Sequence, residues 1–405
     1  MTTRQLLGLL AVAVLAGLWI GCNEEAPPSL YDPNYVSGPQ PKVTAIAPAA
    51  NALAGVTVLT LTGENFQPGT AQNMVFFNTT VATITSATAT QLVLKAPYVV
   101  GDSVRVKVAV QGADLFSTPY IYKLGAPTED KFGNFGQSDE LASMDCDAAG
   151  NVYVSMLSSG LGTGVWRFTP DGTKGTTVYS NAFSAAVGSW KGMKFGSGGA
   201  IFCVAARAII FRIPPGGGNA AVWVSGSGLT NLNDLDFDAA GNIWAGGPGA
   251  TNIFRIKPDK TVAPFPFVGT VRAVRVYNGY LYIGGKRDSL EKVWRFPISG
   301  DNLGAEEEYF NVSSVYGANS SGVYGLAFDT DGNMYLGTDA ADGILMVNAA
   351  KQGSPYYPGV VSGSTVYLTW GTGANLFQGK GGTTKTIVKI NSQKASAPYY
   401  GRTLP

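Results

Sequence analysis

The chain has 405 residues, which is enough for two or more domains with separate hydrophobic cores. Only 14% of the residues are charged and the formal net charge is +1, so the charge balance does not indicate binding to nucleic acid or to an acidic partner. The sequence contains no histidine, which excludes histidine metal ligands, histidine acid–base catalysis and every catalytic triad that contains histidine.

The first residues form a targeting segment. Arg4 supplies a positive charge, and residues 6–20 are apolar but too few to span a membrane comfortably. The sequence Leu18-Trp19-Ile20-Gly21-Cys22 resembles a bacterial lipobox. The resemblance implies a signal peptide over residues 1–21, lipidation of Cys22, and attachment to the outer membrane of a bacterial cell envelope through lipid alone. The alternative is an ordinary secretory peptide with an incidental cysteine.

A tether and a small β domain follow. Residues 22–40 are rich in Pro, Asn and Ser, which predicts an extended tether. Residues 41–124 contain alternating apolar runs separated by turn residues, a pattern typical of an immunoglobulin-like sandwich. We expect residues 125–136 to be a linker to the rest of the chain.

The β domain resembles the IPT/TIG family. The residues that carry the resemblance are Ile46-x-Pro48, Leu59-x-Leu61-x-Gly63-x-Asn65-Phe66 and Val75-x-Phe77. The resemblance implies an immunoglobulin-like spacer or binding module, and it supplies no catalytic residues.

One short pattern recurs through residues 137–405. Its clearest copy, residues 232–260, reads as three short strands with a turn at Gly241, where a positive φ suits a tight hairpin. Further copies cover residues 141–172, 193–217, 274–301 and 326–348, with a weaker one at 365–390. The turn glycines Gly150, Gly199, Gly241, Gly279 and Gly332 are 49, 42, 38 and 53 residues apart. Repeats of this length predict a six-bladed β-propeller and an all-β chain.

Three copies carry Asp-x-x-Gly-Asn at the turn. These are residues 147–151, 238–242 and 329–333, and the pattern resembles the NHL and SMP-30/gluconolactonase-like superfamily. The aspartates could be calcium ligands. An aspartate at a hairpin corner hydrogen-bonds its own backbone two residues on, however, so we interpret them as structural.

A possible metal site depends on the same resemblance. Asn233-Asp234, followed by Asp238-x-x-Gly241-x-x-Trp244-x-Gly246, resembles the segment with which lactonases of the superfamily bind a divalent metal. The resemblance implies Glu140, Asn233 and Asp234 as ligands of a divalent cation, for which calcium is one candidate. Tyr324 occupies the position expected for a further acidic ligand. Because an oxygen-rich site needs several converging carboxylates or carbonyls, we expect a degenerate site and name no catalytic residue.

Two other features leave alternatives open. An arginine recurs between apolar neighbours in Trp166-Arg167-Phe168, Phe211-Arg212-Ile213, Phe254-Arg255-Ile256 and Trp294-Arg295-Phe296. These strands either pack between blades with the guanidinium groups directed outward, or form a ring that binds sugars or anions. Cys146 and Cys203 either form a disulfide in an oxidising compartment or remain free as small core residues.

The sequence therefore predicts a non-catalytic lipoprotein of the cell envelope. Its propeller and immunoglobulin-like domain would bind a cell-surface glycan, a peptide or a protein partner, and no nucleic acid. One alternative is a metal-dependent lactonase-type hydrolase. Another is a scaffold in which the immunoglobulin-like domain makes the contact.

Overall fold

The computed structural model describes residues 34–181, 189–226, 228–382 and 385–404. These residues form an all-β protein, as predicted, with one short helix, α1 Ser313–Tyr316, and 3-10 turns at Thr70–Gln72, Ser197–Gly199 and Tyr400–Thr403. No helix in the described ranges is long and apolar enough to cross a membrane. The predicted signal peptide and Cys22 lie outside the described residues.

The N-terminal domain is an immunoglobulin-like sandwich, as predicted. Its sheets have the orders β1-β2-β6-β5 and β4-β3-β7-β8 in the numbering given below, and all pairs are antiparallel. Alternation along the strands places Leu59, Leu61, Val104 and Val106 between the sheets, where they form one core. The strands are β1 Lys42–Ala47, β2 Val58–Glu64, β3 Asn73–Phe77, β4 Thr80–Ala82, β5 Ile84–Ala87, β6 Gln91–Lys95, β7 Gly101–Val110 and β8 Tyr120–Leu124.

The end of the predicted tether lies against this sandwich. The hydroxyl of Tyr35 donates hydrogen bonds to the carbonyl of Gly112 at 2.9 Å and to Asp114 at 3.0 Å. The side-chain amide of Gln40 donates to the carbonyl of Phe116 at 2.6 Å. Residues 34–40 therefore dock on the domain, whereas residues 22–33 lie outside the described part of the chain.

The remaining strands, whose bounds are given below, form sheets of three or four strands in sequence order, except that the last sheet also takes in β9. The first contains β10-β11-β12, the second β13-β14-β15-β16, the fifth β25-β26-β27-β28 and the last β29-β30-β31-β9. The third and fourth share the long β20, whose first half pairs with β19 and whose second half pairs with β21.

The strand bounds are β9 Thr128–Phe132, β10 Asp139–Cys146, β11 Val152–Ser158, β12 Leu161–Phe168, β13 Gly192–Phe195, β14 Ile201–Val204, β15 Ile209–Ile213, β16 Ala221–Ser225, β17 Asp234–Phe237, β18 Ile243–Gly246, β19 Ala250–Ile256, β20 Val262–Tyr277, β21 Tyr280–Arg287, β22 Leu290–Ser299, β23 Asn302–Leu303, β24 Glu307–Asn311, β25 Val323–Phe328, β26 Met334–Thr338, β27 Ile344–Val347, β28 Gly353–Pro355, β29 Thr365–Trp370, β30 Asn375–Lys380 and β31 Thr386–Asn391.

The sheets are arranged radially. Their inner strands β10, β13, β17, β20, β25 and β29 contact one another in this order, and β29 contacts β10 to close the ring. Apolar side chains fill the space between neighbouring sheets. The predicted turn glycines Gly150, Gly199, Gly241, Gly279 and Gly332 all have positive φ. The propeller-like arrangement is thus the predicted one.

The segment predicted as a linker contributes a strand to this ring. β9 pairs antiparallel with β31 and completes the last sheet with residues that precede the first sheet in the chain. Of its residues only Phe132 is buried, packed against Phe168 and Phe377. Because a single inward residue gives no apolar alternation, the sequence carries no clear strand signal here.

Of the two alternatives for the cysteines, the structure shows the free thiols. Cys146 and Cys203 are both free and buried. Cys146 packs between the first and last sheets, near Phe377, whereas Cys203 packs between the first and second sheets, near Trp190. The two thiols belong to different cores on opposite sides of the first sheet, so they do not meet. Burial raises the pKa of the Cys146 thiol to about 12.

Candidate functional site

We call the end of the ring where the inner strands begin the mouth. Glu140 and Asn233, two of the three implied metal ligands, lie at the mouth, and each has a protein partner. Glu140 forms a salt bridge with Lys385. The side-chain amide of Asn233 donates to the backbone carbonyl of Arg272 at 3.0 Å. One carboxylate oxygen of Glu140 and the side-chain N–H of Asn233 are therefore already engaged.

Arginine and tyrosine occupy the adjoining part of the mouth. The guanidinium of Arg272 pairs with the buried carboxylate of Glu291 at 2.5 Å and lies 5.4 Å from the centre of the Tyr324 ring. No group of three acidic or cysteine side chains placed to hold a metal occurs within the described residues. Because Lys385 and Arg272 already neutralise the carboxylates of Glu140 and Glu291, the pairing at the mouth disfavours a divalent cation.

Asp234 lies deeper, inside the channel of the ring. One of its carboxylate oxygens accepts the N–H of Val274 at 2.8 Å, and the other lies 3.5 Å from the hydroxyl of Tyr367. That hydroxyl accepts a hydrogen bond from the ammonium of Lys194 at 3.0 Å. Burial raises the pKa of Asp234 to about 6, against the opposing effects of the Lys194 charge and the Val274 N–H.

Further carboxylates on the inner strands join neighbouring sheets. Asp145 accepts the N–H of Phe195 at 2.8 Å, and Asp236 accepts the N–H of Val276 at 2.8 Å, as Asp234 does for Val274. Each aspartate thus binds the inner strand of the next sheet. Arg402 pairs with Asp145 and Arg275 pairs with Asp236. Together with Lys194, these arginines balance the buried negative charge, so the network stabilises the ring.

The C-terminal segment closes the other end of the channel. We call residues 392–404 the tail and this end of the ring the tail face. The N–H of Ala397 donates to the carbonyl of Phe328 at 2.9 Å, and the hydroxyl of Tyr399 accepts the N–H of Trp370 at 3.1 Å. The Tyr399 ring contacts the guanidinium groups of Arg275 at 3.7 Å and of Arg402 at 3.9 Å. The tail therefore fills this opening.

The aspartates of the repeated turns are structural, as we interpreted them. In the Asp238 turn the carboxylate accepts the N–H groups of Ala240 and Asn242, the Asn242 amide and the indole N–H of Trp244 at 2.9–3.0 Å. The turns at Asp147 and Asp329 repeat this arrangement, with the hydroxyls of Tyr153 and Tyr335 in place of the indole. The aromatic residue six positions after each aspartate therefore completes the turn.

Two clefts open on the tail face between neighbouring sheets. The large cleft, of about 760 Å³, lies between the first and second sheets, and the small cleft, of about 330 Å³, lies between the second and third. Their sizes lie in the usual range for ligand sites. The large cleft is lined by residues that include Asp147, Tyr153, Arg167, Tyr179, Gly196, Gly216 and Arg402. The small cleft is lined by Ser197, Phe202, Arg212, Trp223, Phe237, Ala240, Gly241, Pro258 and Leu404.

Sequence reasoning did not identify Lys194, Arg272, Tyr367 or Arg402. The only sign of Lys194 is a charge within the apolar run Met193-Lys194-Phe195. Arg402 and Tyr367 meet their partners across the ring, far apart in the chain, and no short motif records such contacts.

The chain is similar to one protein family over part of its length and to several solved structures over most of it. Residues 41–123 match the IPT/TIG domain family, and no curated protein matches the chain. A solved structure of a putative phosphatase from Bacteroides thetaiotaomicron is 10% identical, with a TM-score of 0.57 over 87% of this chain and 97% of that one. A gluconolactonase from Xanthomonas campestris is 16% identical, with a TM-score of 0.50 over 65% of this chain and 91% of that one.

A third similar structure is an auxiliary nutrient binding protein from Bacteroides ovatus, 11% identical with a TM-score of 0.48 over 87% of this chain and 98% of that one. At such identities, the likeness to the phosphatase and gluconolactonase structures concerns the fold alone. The chain thus carries a segment that matches the IPT/TIG domain, followed by radially arranged sheets with a propeller-like fold similar to that of these two structures.

Proposed function

We propose that the protein is a non-catalytic binding protein of the cell envelope, in which a six-bladed propeller and an immunoglobulin-like domain hold a glycan, a peptide or a protein partner. One observation carries this proposal. The carboxylates at the mouth that could hold a metal are paired with protein cations, Glu140 with Lys385 and Glu291 with Arg272. The clefts of the tail face offer open space of a size usual for ligand sites.

The immunoglobulin-like domain offers a second contact surface. Met74, Val81 and Ile121 are exposed on the outer face of the sheet β4-β3-β7-β8, where Phe116 packs edge-on against Phe76 at 5.6 Å. Exposed apolar side chains gathered on one sheet face favour contact with another molecule. This favours a role for the domain in partner binding beyond that of a spacer.

The lipid anchor is part of the proposal. Cys22 follows an apolar leader, and Tyr35, thirteen residues later, contacts the immunoglobulin-like domain. We expect acylation of Cys22 and attachment to the outer membrane, with the folded part in the periplasm or at the cell surface. Labelled palmitate should enter the wild-type protein in a bacterial host, whereas Cys22→Ser should remain unlabelled and soluble. Equal labelling of both proteins would contradict the assignment.

The binding function and the lactonase-type alternative can be separated in one preparation. We suggest the mature chain from residue 22 with Cys22→Ser, tested on a glycan array and with a panel of lactones plus calcium or zinc. The proposal predicts saturable glycan, peptide or protein binding that survives EDTA, with no lactone turnover. Metal-dependent turnover that Asn233→Ala abolishes would establish the hydrolase instead. The neighbouring Asn231→Ala, outside the implied ligand set, is the control.

A further inference from the structure

The repeated arginines differ from sheet to sheet in a way that points to a ligand. At equivalent positions in the third and fourth sheets, Arg255 pairs with Asp301 at 3.3 Å and Arg295 pairs with Glu307 at 2.7 Å. In the first and second sheets these positions carry Arg167 and Arg212. Neither has a salt bridge within the described residues, and each lines one of the clefts.

We propose that the two clefts together bind an elongated acidic glycan, with Arg167 and Arg212 each pairing with one of its anionic groups. This inference rests on the proposed binding function and names its ligand class. The anionic group is a carboxylate or a sulfate, either of which a guanidinium can bind through two parallel N–H donors.

In the large cleft, Arg167 is the charged group left for a ligand. Arg402 is committed to Asp145 and to the carbonyl of Trp370, and the carboxylate of Asp147 accepts N–H and O–H donors from its own turn and from Tyr153. Arg167 is exposed beside these saturated groups. Charge-assisted hydrogen bonds are the strong ones, so its guanidinium would orient an anionic ligand.

The small cleft combines one cation with aromatic rings. Arg212 is the only charged side chain among its described lining residues. Trp223 packs edge-on against Phe202 at 5.1 Å, and Phe202 packs edge-on against Phe237 at 5.3 Å. Half-buried Trp223 presents a broad apolar surface beside a guanidinium, which suits a ligand with both an apolar face and a charge, such as an acidic sugar ring.

The clefts adjoin each other. The turn Ser197–Gly199 contributes Ser197 to the small cleft and Gly199 to the large one, and the tail contributes Leu404 and Arg402 in the same way. A ligand that uses both arginines therefore has to be long enough to cross this turn, which favours an oligosaccharide over a single sugar. Nucleic acid is disfavoured, because its binding depends on many cations and the chain has a net charge of only +1.

Isothermal titration of the mature Cys22→Ser chain tests the inference. The probes are polygalacturonate for carboxylates, dextran sulfate for sulfates and dextran as a neutral comparator. We expect at least one anionic glycan to bind more tightly than dextran. We also expect Arg167→Gln and Arg212→Gln each to weaken that binding about tenfold or more, as the loss of a charge-assisted hydrogen bond does. Whichever probe binds identifies the anionic group.

Arg295→Gln is the matched control, since this arginine occupies the same repeated position but is paired with Glu307. It should bind as the unsubstituted chain does, and thermal melts should show that all variants are folded. Equal binding of dextran and the anionic glycans, or unchanged binding by both cleft variants, would overturn the inference while leaving a neutral-ligand binding function intact. Tighter binding of polyglutamate or single-stranded DNA would overturn the glycan assignment.

Discussion

The buried pair Arg402–Asp145 offers the sharpest test of how the tail holds the ring closed. The pair joins the tail to the first sheet, and Asp145 is 1% exposed. In Arg402→Met the carboxylate keeps the N–H of Phe195 and the hydroxyl of Thr369 but loses its cation. Removing one partner of a buried ion pair lowers the free energy of unfolding by about 3–5 kcal/mol. Because Lys194 also acts on Asp145 and remains in the variant, we expect a loss at the lower end of that range.

Tryptophan fluorescence in urea can follow this change selectively. All tryptophans of the described residues belong to the ring, and none lies in the immunoglobulin-like domain. With an m-value of about 3 kcal/mol/M, a loss of about 3 kcal/mol lowers the urea midpoint by about 1 M. The double variant Arg402→Met/Asp145→Asn should recover part of the loss, because no charge is then left buried and unpaired. A midpoint that Arg402→Met leaves unchanged would refute the reasoning.

The same variant should change the response to acid. Burial raises the pKa of Asp145, but the charges of Arg402 and Lys194 outweigh it and hold the pKa below its ordinary value. A folded-state pKa below the unfolded value of about 3.9 gives stability that is present above that pH and is lost as the pH falls through the folded pKa. Without Arg402, less positive charge opposes the rise that burial causes in the pKa of Asp145. The stability gap between wild type and Arg402→Met should therefore narrow on acidification, and a constant gap would contradict this account.

Three further predictions concern the ring, and the urea midpoint is the readout for each. Phe132→Ala should destabilise the ring by about 3–5 kcal/mol, because it removes the buried residue with which β9 completes the last sheet. The control is Lys131→Ala, on the exposed side of β9. Equal effects of the two substitutions would mean that β9 does not pack against the ring as described. Asp238→Ala should lower the free energy of unfolding by about 1–3 kcal/mol with or without calcium, since it leaves buried donors such as the Trp244 indole unpaired. A decrease that depends on calcium would mean that Asp238 is a calcium ligand. Dithiothreitol should leave the midpoint unchanged because Cys146 and Cys203 are free, and a lower midpoint would reveal a disulfide.

Local patterns predicted most of the fold. A turn glycine between short apolar strands recurs in five of the repeats, so the sequence predicted where those five sheets turn. The immunoglobulin-like domain was predictable for the same reason, since strands such as β2 and β7 alternate between core and solvent. Both signals arise from residues close together in the chain.

What the sequence could not predict depends on contacts between distant residues. β9 has a single inward residue, and its pairing with β31 joins opposite ends of the ring. The tail has no periodic pattern, yet it closes the channel through Tyr399 and Arg402. The implied metal ligands matched a local motif, but the cations that oppose them, Lys385 and Lys194, come from other sheets.

Calorimetric titration of calcium and zinc into the mature Cys22→Ser chain tests the central claim most directly, namely that the protein's own cations occupy the carboxylates at the mouth. The account predicts no saturable binding of either metal, and the same result for Asn233→Ala. Stoichiometric binding that is present in the parent chain and absent from Asn233→Ala would contradict it.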